Sequence, residues 1–223
     1  MTPVPLRYRA VLFDLDGTLV DSYAALADAV NYARRAHGLD DIAPARIRDF
    51  VGSGLERLLQ RAFETSNVPP TVREAFERRY DEICCSESRI LDDVEETLAE
   101  LSQMGVRMAV CTNKPTSFSK KILDFVDLSR HFDAIVGPDL AGASKPDGAH
   151  VLRTLEATGC PAESALFVGD MTIDVEAARN GGVDVAVIPT GNASPEDLHA
   201  AGPDHFLARF SDLLEVVRSG EAA

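Results

Sequence analysis

Two aspartates stand two residues apart at the end of an apolar run, in the segment VLFDLDGTLVDS. Residues two apart on an extended chain point to the same side, so the carboxylates of Asp14 and Asp16 lie next to each other and repel. The pair is therefore either a solvated turn or a site for a cation held by oxygen ligands. The preceding run, AVLF, is typical of a buried strand and favours the cation site, because the two carboxylates follow at its carboxyl end.

Two more acidic residues occur in the segment VGDMTIDVEAARNGG. Asp170 follows an apolar run, and Asp174 comes four residues later, on the same face of the first turn of a predicted helix. Helix capping and the helix dipole explain acidic residues at this place. A third acidic strand end beside Asp14 and Asp16 also makes an acidic pocket, which is costly without a cation.

A lysine and two strand-end polar residues complete the chemically interesting set. Lys145 lies in SKPDG, and Thr112 and Asn113 lie in CTNKP. A lysine before proline is usually a surface residue, and strand-end Thr and Asn are often helix caps. Near three carboxylates, however, Lys145 can bind an anion and keep Asp14 ionised. A hydroxyl and backbone N–H groups at a helix start also suit a phosphate group.

The composition excludes several classes of protein. The chain has 223 residues, 45% of them hydrophobic, which suffices for one large core or two smaller ones. Lys and Arg number 22 against 36 Asp and Glu, a net charge of −14. This balance argues against nucleic-acid binding, which requires a basic face. No apolar run approaches the roughly 18 residues of a membrane span.

The amino-terminal residues and the cysteines predict a cytoplasmic location. The first residues, MTPVPLRYRA, contain two prolines and no apolar stretch typical of a secretory signal. The four cysteines form no CxxC pattern and are expected to be reduced thiols. They are Cys84, Cys85, Cys111 and Cys160.

Short apolar runs alternate with longer helical patterns through most of the chain. The runs AVLFDLD, VRMAVCT, FDAIVG, ALFVGD and VDVAVIP are typical of buried strands. Their alternation with helices predicts an α/β fold, a parallel sheet with helices on both faces. Polar residues follow several of these runs, and ligands of open α/β sheets bind beyond the carboxyl ends of the strands. We therefore expect the polar residues to face one crevice.

One long segment departs from this alternation. From about residue 20 to residue 88 the sequence contains helical patterns, such as YAALADAVNYARRA and LERLLQRAFE, and no convincing strand. We interpret residues 20–88 as an all-helical cap domain inserted after the first strand. Residues 1–19 and 89–223 then form the α/β core, joined to the cap by two linkers.

The four motifs in this order, DLDGTLVDS, TN, KP and GDxxxD, resemble those of the haloacid dehalogenase superfamily of phosphohydrolases. The resemblance spans nearly the whole chain, since the helical segment matches the small cap domain of that superfamily in position and type. It implies a Rossmann-like core and a phosphoryl-transfer reaction that requires Mg²⁺.

Carried over to this sequence, the resemblance implies distinct roles for the two neighbouring aspartates. Asp14 would attack phosphorus and form an aspartyl-phosphate. Asp16 would protonate the leaving oxygen and then deprotonate the water that hydrolyses the intermediate. Mg²⁺ would be held by the Asp14 side chain, the backbone carbonyl of Asp16, Asp170 and waters.

The remaining motif residues are expected to serve the phosphoryl group and the metal shell. By resemblance, Thr112 and Lys145 would hold the transferring phosphoryl group, with Asn113 nearby. Asp174 would orient the metal shell. The division is chemically reasonable, because the metal and the lysine together neutralise charge on the equatorial oxygens.

Within the superfamily, the motifs look most like those of bacterial phosphoglycolate phosphatases. The cap segment VGSGLERLL resembles their VGxGxxxLL element, so Gly52, Ser53 and Gly54 are candidates for a substrate loop. The glycines expose backbone N–H groups and let the chain approach a small ligand, although a plain helix-start loop has the same composition. The cap cations Arg48 and Arg57 are candidates for attracting a substrate carboxylate.

The chain also departs from the pattern of that family. Gly148 stands where a second proline of the KPxP motif is frequent, Met171 stands where Ser is frequent, and LDD replaces a Pro-Gly pair at the return from the cap. None of these departures removes a proposed catalytic group, but each weakens the specific link to phosphoglycolate.

The sequence thus predicts a cytoplasmic, Mg²⁺-dependent phosphatase of a small phosphorylated metabolite, with 2-phosphoglycolate as the first candidate. The alternatives are a sugar-phosphate phosphatase or a β-phosphoglucomutase-like phosphomutase on the same fold, and a catalytically silent phosphate-binding regulatory protein. We expect a monomer or a homodimer that binds neither nucleic acid nor membrane.

Overall fold

Six short strands form one parallel sheet in the computed structural model, which describes residues 6–218. Their bounds are β1 Ala10–Phe13, β4 Arg107–Cys111, β5 Ala134–Val136, β6 Ala165–Gly169, β7 Asp184–Val187 and β8 His205–Phe206. They lie in the order β5–β4–β1–β6–β7–β8, and all neighbouring pairs are parallel. Two further strands, β2 Val20–Asp21 and β3 Arg89–Ile90, pair with each other as a separate antiparallel ribbon.

Helices fill the connections between the strands, as the alternating sequence pattern predicts. Between β2 and β3 lie α1 Tyr23–Ala36, α2 Pro44–Arg48, α3 Leu55–Phe63 and α4 Pro70–Ile83. The later helices are α5 Val94–Gln103, α6 Thr116–Phe125, α7 Pro138–Ala141, α8 Gly148–Glu156, α9 Thr172–Gly181, α10 Pro195–Ala200 and α11 Leu213–Val217. The α/β class and its parallel sheet are therefore confirmed.

Both faces of the sheet are buried. Val11 and Phe13 of β1 pack into one apolar cluster with side chains of α5, α6 and α11. Ala10 and Leu12 pack into a second cluster with side chains of α8, α9 and α10. Because successive strand residues point to opposite faces, a strand covered on both sides needs an uninterrupted apolar run. The AVLF segment provides that run.

The carboxyl ends of the three central strands meet at one edge of the sheet. β4 and β6 each pair with β1 along its whole length, in parallel register. Asp14, Thr112 and Asp170 directly follow these strands. The topology therefore brings the three residues to the same crevice, as ligand sites in open α/β sheets require.

The helices α1 to α4 occupy the chain between the two ribbon strands. α1 packs against the other three, and apolar side chains of all four helices join the cluster on one face of the sheet. This placement agrees with the predicted insertion, but the division into a core and a cap of residues 20–88 stays a prediction. Residues 1–5 and 219–223 lie outside the described residues. The first of these ranges includes half of the segment MTPVPLRYRA, from which no secretory signal is expected. Within residues 6–218, every helix is too short or too polar to cross a membrane.

Candidate active site

Lys145 lies between two carboxylates at the carboxyl edge of the sheet. Its Nζ atom is 2.8 Å from Oδ1 of Asp14 and 2.7 Å from Oδ1 of Asp174. Burial alone would lower the pKa of Lys145, but Asp14 and then Asp174 outweigh it and raise that pKa. Lys145 is therefore a fixed positive charge held between Asp14 and Asp174. Asp174 contacts this lysine directly, and its predicted role toward the metal shell stays a prediction.

Three carboxylates approach one another closely enough to hold a metal ion. Asp14, Asp170 and Asp174 each offer an oxygen, and these atoms lie within 4.8 Å of one another. Asp174 already uses both oxygens, since Oδ1 accepts from Lys145 and Oδ2 accepts from the backbone N–H of Met171 at 3.0 Å. This leaves Asp14 and Asp170 as the side chains best suited to ligate a cation.

Asp170 has a free oxygen where such a cation would bind. Its Oδ1 accepts a hydrogen bond from the Thr18 hydroxyl at 2.8 Å. Its Oδ2 is buried and has no hydrogen-bond partner among the described residues. An unpaired buried carboxylate oxygen is costly, and oxygen ligands of this kind suit a hard cation such as Mg²⁺. The residues present thus fit Mg²⁺.

The raised pKa values of two carboxyl groups in the cluster also favour a bound cation. Burial, followed by the charges of Asp174 and Asp14, raises the pKa of Asp170 well above its usual range. Burial also raises the pKa of Asp174 to about 6, although Lys145 acts to lower it. The cluster therefore holds more negative charge than one lysine balances, and a bound cation would relieve the excess.

Asp16 contacts a different cation. Its Oδ1 lies 2.6 Å from Nζ of Lys114 and also accepts a hydrogen bond from the Ser22 hydroxyl. Lys114 further donates to the hydroxyl of Tyr80 at 2.8 Å. Burial would lower the pKa of Lys114, but Asp16 outweighs it and raises that pKa. Asp14 and Asp16 thus form ion pairs with different lysines.

Lys114 was not predicted from the sequence to be a site residue. It stands inside CTNKP, directly after the predicted Thr112 and Asn113, and it is buried like both of them. The available signal was a lysine immediately behind a strand end and ahead of a helix-starting proline. That signal does not say which carboxylate the side chain reaches, because the partner comes from another strand.

Thr112 and Asn113 are both buried at the predicted place. The Thr112 hydroxyl accepts a hydrogen bond from the backbone N–H of Lys114 at 3.2 Å. The Asn113 side chain accepts from the backbone N–H of Lys145 at 2.8 Å and donates to the carbonyl oxygens of Lys145 and Gly52, each at 3.0 Å. Asn113 therefore holds the backbone of Lys145 in place. Its direct role toward phosphate stays a prediction.

A cleft opens above Asp14 and Asp16, between the strand ends and the helices α1, α3 and α4. It encloses about 540 Å³, open solvent at its mouth included. Its walls are mostly apolar and include Leu26, Val51, Leu55, Leu58, Phe76 and Phe118. Thr112, Asn113 and Lys114 complete the floor. The cleft thus leads from the surface to Asp14 and Asp16.

The predicted substrate loop reaches the cleft in part. Gly52 and Gly54 line it, whereas Ser53 lines neighbouring hollows on the surface. Both glycines have positive φ angles, 112° and 87°. A Cβ atom on Gly52 would lie 2.3 Å from Sδ of Met171, so a larger residue would have to displace the end of that side chain and adopt an unfavourable φ angle.

Neither of the two candidate arginines lines the cleft. Arg48 donates from Nε to Oδ1 of Asn192 at 2.8 Å and stacks over the ring of Tyr23 at 4.2 Å. It thereby fastens α2 to the loop that follows β7. Arg57 donates to the Gln60 side chain at 3.1 Å on the surface.

Comparison with known proteins covers almost the entire chain. Residues 11–188 match the family described as haloacid dehalogenase-like hydrolase. A phosphoglycolate phosphatase of Photorhabdus laumondii is 36% identical over 215 residues, covering 94% of this chain and 92% of that protein. An N-acetylmuramic acid 6-phosphate phosphatase of Pseudomonas aeruginosa is 34% identical, with 95% and 96% of the two chains covered. The crystal structure of a predicted phosphoglycolate phosphatase from Haemophilus somnus superposes with a TM-score of 0.87 at 29% identity, covering 94% of this chain and 98% of its own.

The matched residues include the whole polar cluster at the carboxyl edge of the sheet. Sequence, fold and buried cluster therefore agree on an enzyme, a phosphatase of phosphoglycolate phosphatase-like type, and the family resemblance seen in the sequence is confirmed. The chain belongs to the haloacid dehalogenase-like hydrolases.

Proposed function

We propose that the protein is a Mg²⁺-dependent phosphatase that hydrolyses 2-phosphoglycolate through an aspartyl-phosphate on Asp14. One observation carries the proposal: the buried Asp14 carboxylate is held by Lys145, lines the cleft, and adjoins an unpaired oxygen of Asp170. This is the arrangement that an ionised nucleophile next to a cation site requires.

The first chemical step transfers the phosphoryl group to the protein. An oxygen of Asp14 attacks phosphorus, the bond from phosphorus to the ester oxygen breaks, and that oxygen takes a proton from Asp16. Lys145 holds the attacking carboxylate in its charged form. Splitting the displacement into two steps lowers the barrier to each.

The second step regenerates the enzyme. Asp16 takes a proton from a water molecule, whose oxygen attacks the phosphorus of the aspartyl-phosphate. The bond between phosphorus and the Asp14 oxygen breaks, and inorganic phosphate leaves. Asp16 thus acts first as an acid and then as a base, and its place beside Asp14 on the floor of the cleft supports that role.

Asp14, Asp170 and the backbone oxygen of Asp16 are the proposed ligands of Mg²⁺. When bound, the ion neutralises charge on the phosphoryl oxygens. Thr112 and Lys145 are the proposed protein contacts of the same oxygens, with the Thr112 hydroxyl on the cleft floor. A compact cation together with fixed donors is the usual way to stabilise phosphoryl transfer.

The substrate is proposed from the similarity to two relatives. The similarity to a phosphoglycolate phosphatase over nearly the full chain supports 2-phosphoglycolate. The 34% identity to an N-acetylmuramic acid 6-phosphate phosphatase supports a sugar phosphate as the second candidate. A phosphomutase would return the phosphoryl group to the sugar, so the release of free phosphate separates it from both candidates.

The direct test is steady-state kinetics on a panel of small phosphomonoesters, with and without a chelator of Mg²⁺. We expect Mg²⁺-dependent phosphate release and the highest kcat/KM for 2-phosphoglycolate. Asp14→Asn should abolish turnover, because an amide is a poor nucleophile, whereas Asp124→Asn on the surface should not change it. Full activity of Asp14→Asn would remove the proposed nucleophile. A sugar phosphate ranking above 2-phosphoglycolate would replace the substrate and leave the mechanism standing.

A further inference from the structure

Lys114 is a buried cation in a largely apolar cleft. Among the residues that line the cleft in the described part of the chain, it alone carries a positive charge. Its side chain is only 5% exposed, and its Nζ atom contacts Asp16, the Tyr80 hydroxyl at 2.8 Å and the Ser22 hydroxyl at 3.3 Å. These three partners match the three N–H donors of an ammonium group, so a ligand that binds Lys114 must replace one of them.

Three other basic residues near the cleft are already paired with protein groups and do not line it. Lys145 lies between Asp14 and Asp174 below the cleft floor. Arg48 is bound to the loop after β7, and Arg57 lies on the surface. Within residues 6–218, a substrate with a negative group besides its phosphate therefore finds one cation among the residues that line the cleft. The protein is strongly acidic overall, with a net charge of −14, so the contact is needed to offset repulsion.

The position of Lys114 matches the geometry of a carboxylate next to a phosphate ester. To transfer a proton, the Asp16 carboxylate must come within about 3 Å of the ester oxygen. The Nζ atom of Lys114 lies 2.6 Å from that same carboxylate. In 2-phosphoglycolate one methylene carbon separates the ester oxygen from the carboxylate, so the carboxylate oxygens lie only about 3 Å beyond the ester oxygen. They therefore fall within reach of Nζ.

The surroundings make such a contact strong and selective. The apolar side chains of Leu26, Phe76 and Phe118 limit water around the cation, which strengthens an ion pair at this place. Tyr80, from α4, holds the Nζ atom in position before any ligand arrives. Positioning of this kind reduces the entropy lost on binding.

We propose that Lys114 is the specificity-determining residue that binds the carboxylate of the substrate, which selects phosphomonoesters bearing a carboxylate on the carbon that carries the ester oxygen. This inference rests on the proposed function and names the contact that distinguishes 2-phosphoglycolate from a neutral ester. On binding, the substrate carboxylate takes over part of the interaction between Lys114 and Asp16. Asp16 is then released toward the ester oxygen.

The test compares two substrates that differ only in the group in question, 2-phosphoglycolate and 2-hydroxyethyl phosphate. Lys114→Met should lower kcat/KM for 2-phosphoglycolate by about 10- to 100-fold, the loss of one hydrogen bond to a charged group. The loss for 2-hydroxyethyl phosphate should be at least about tenfold smaller, because that ester loses only the effect of Lys114 on Asp16 and no contact of its own. Lys120→Met, on the surface and paired with Asp124, is the matched control and should leave both values unchanged.

A binding experiment separates this inference from the proposed function. In Asp14→Asn protein with Mg²⁺, calorimetry should show tighter binding of 2-phosphoglycolate than of 2-hydroxyethyl phosphate, and Lys114→Met should remove the difference. This result without any turnover in the wild type supports the inference and overturns the proposed reaction. If Lys114→Met does not fold, Lys114→Gln carries no charge, keeps hydrogen-bonding capacity, and should give the same loss.

Two results would overturn the role of Lys114. One is a wild-type enzyme that hydrolyses both esters with equal kcat/KM, and the other is an equal loss on both esters in Lys114→Met. Either outcome leaves the phosphatase proposal intact, because both esters are still cleaved. The second would indicate that Lys114 acts only by positioning Asp16.

Discussion

Gly191 lies so close to Asp170 that a single added methyl group should displace the carboxylate. A Cβ atom on Gly191 would lie 1.5 Å from Oδ2 of Asp170 and 2.4 Å from its Cγ, whereas ordinary contacts of this type begin at 3.4 Å. The carboxylate would therefore have to retreat by about 2 Å to reach van der Waals distance. The φ angle of Gly191 is outside the left-handed region, so the backbone accepts alanine and the clash is the main effect.

The displacement should remove Asp170 from the metal site. Metal–ligand distances tolerate changes of about 0.2 Å, a tenth of the required movement. Because disturbing residues that merely orient a ligand costs about 10- to 100-fold in metal affinity, moving the ligand itself should cost at least about 100-fold. We therefore expect Gly191→Ala to raise the dissociation constant of Mg²⁺ by that factor and to resemble Asp170→Asn.

Calorimetric titration of the purified variants with Mg²⁺ measures this effect. Gly182→Ala is the control, since its Cβ would meet nothing within 4 Å but its φ of 69° strains any larger residue. It should lower stability by about 1 kcal/mol and leave Mg²⁺ affinity unchanged. A dissociation constant for Gly191→Ala within about threefold of the wild type would refute Asp170 as a ligand held by this packing.

Two further predictions concern the contact of Arg48 with the loop after β7 and a buried histidine. Arg48→Met should lower the free energy of unfolding by about 1–2 kcal/mol in urea titrations, because it removes the hydrogen bonds to Asn192 and to the loop after β7. It should affect all phosphate esters alike, and a selective loss on 2-phosphoglycolate would contradict that structural role. His150 is fully buried, and burial lowers its pKa, so the unfolded chain takes up a proton near pH 6.5 that the native protein does not. Its contribution to stability is present above that pH and is lost as the pH falls below it, by at most about 1.4 kcal/mol per pH unit. Urea titrations at pH 7.5 and 5.5 should therefore show a smaller difference for His150→Gln, and an unchanged difference would assign the effect to other groups.

The strands and the main site residues were predictable from the sequence because each depends on a local pattern. The uninterrupted apolar runs predict strands buried on both faces, and the polar residues that follow them predict the crevice. β8 and the β2–β3 ribbon were not predicted, since two residues per strand carry too little periodicity. The helix α9 begins at Thr172, shortly after the strand end, and Asp174 in its first turn accepts a hydrogen bond from the N–H of Met171.

The partners of the charged residues were not predictable, since they depend on how distant segments meet. Lys145 was expected to face a phosphoryl group, and its observed contact with Asp174 joins residues 29 positions apart. The contact of Lys114 with Asp16 spans 98 positions. No spacing rule covers such distances. The resemblance to a family located the groups, but only the packing of the sheet and helices shows which carboxylate each lysine holds.

The ribbon of β2 and β3 has an evolutionary consequence. Val20 pairs with Ile90 and Asp21 with Arg89, so the chain leaves the sheet and returns to it at the same point. A segment whose ends are adjacent can be lengthened, shortened or exchanged at little cost in loop-closure entropy. The strand ends that carry the aspartates and lysines need not move when that happens. The walls of the cleft that α1, α3 and α4 supply can therefore change while the aspartates and Lys114 stay in place.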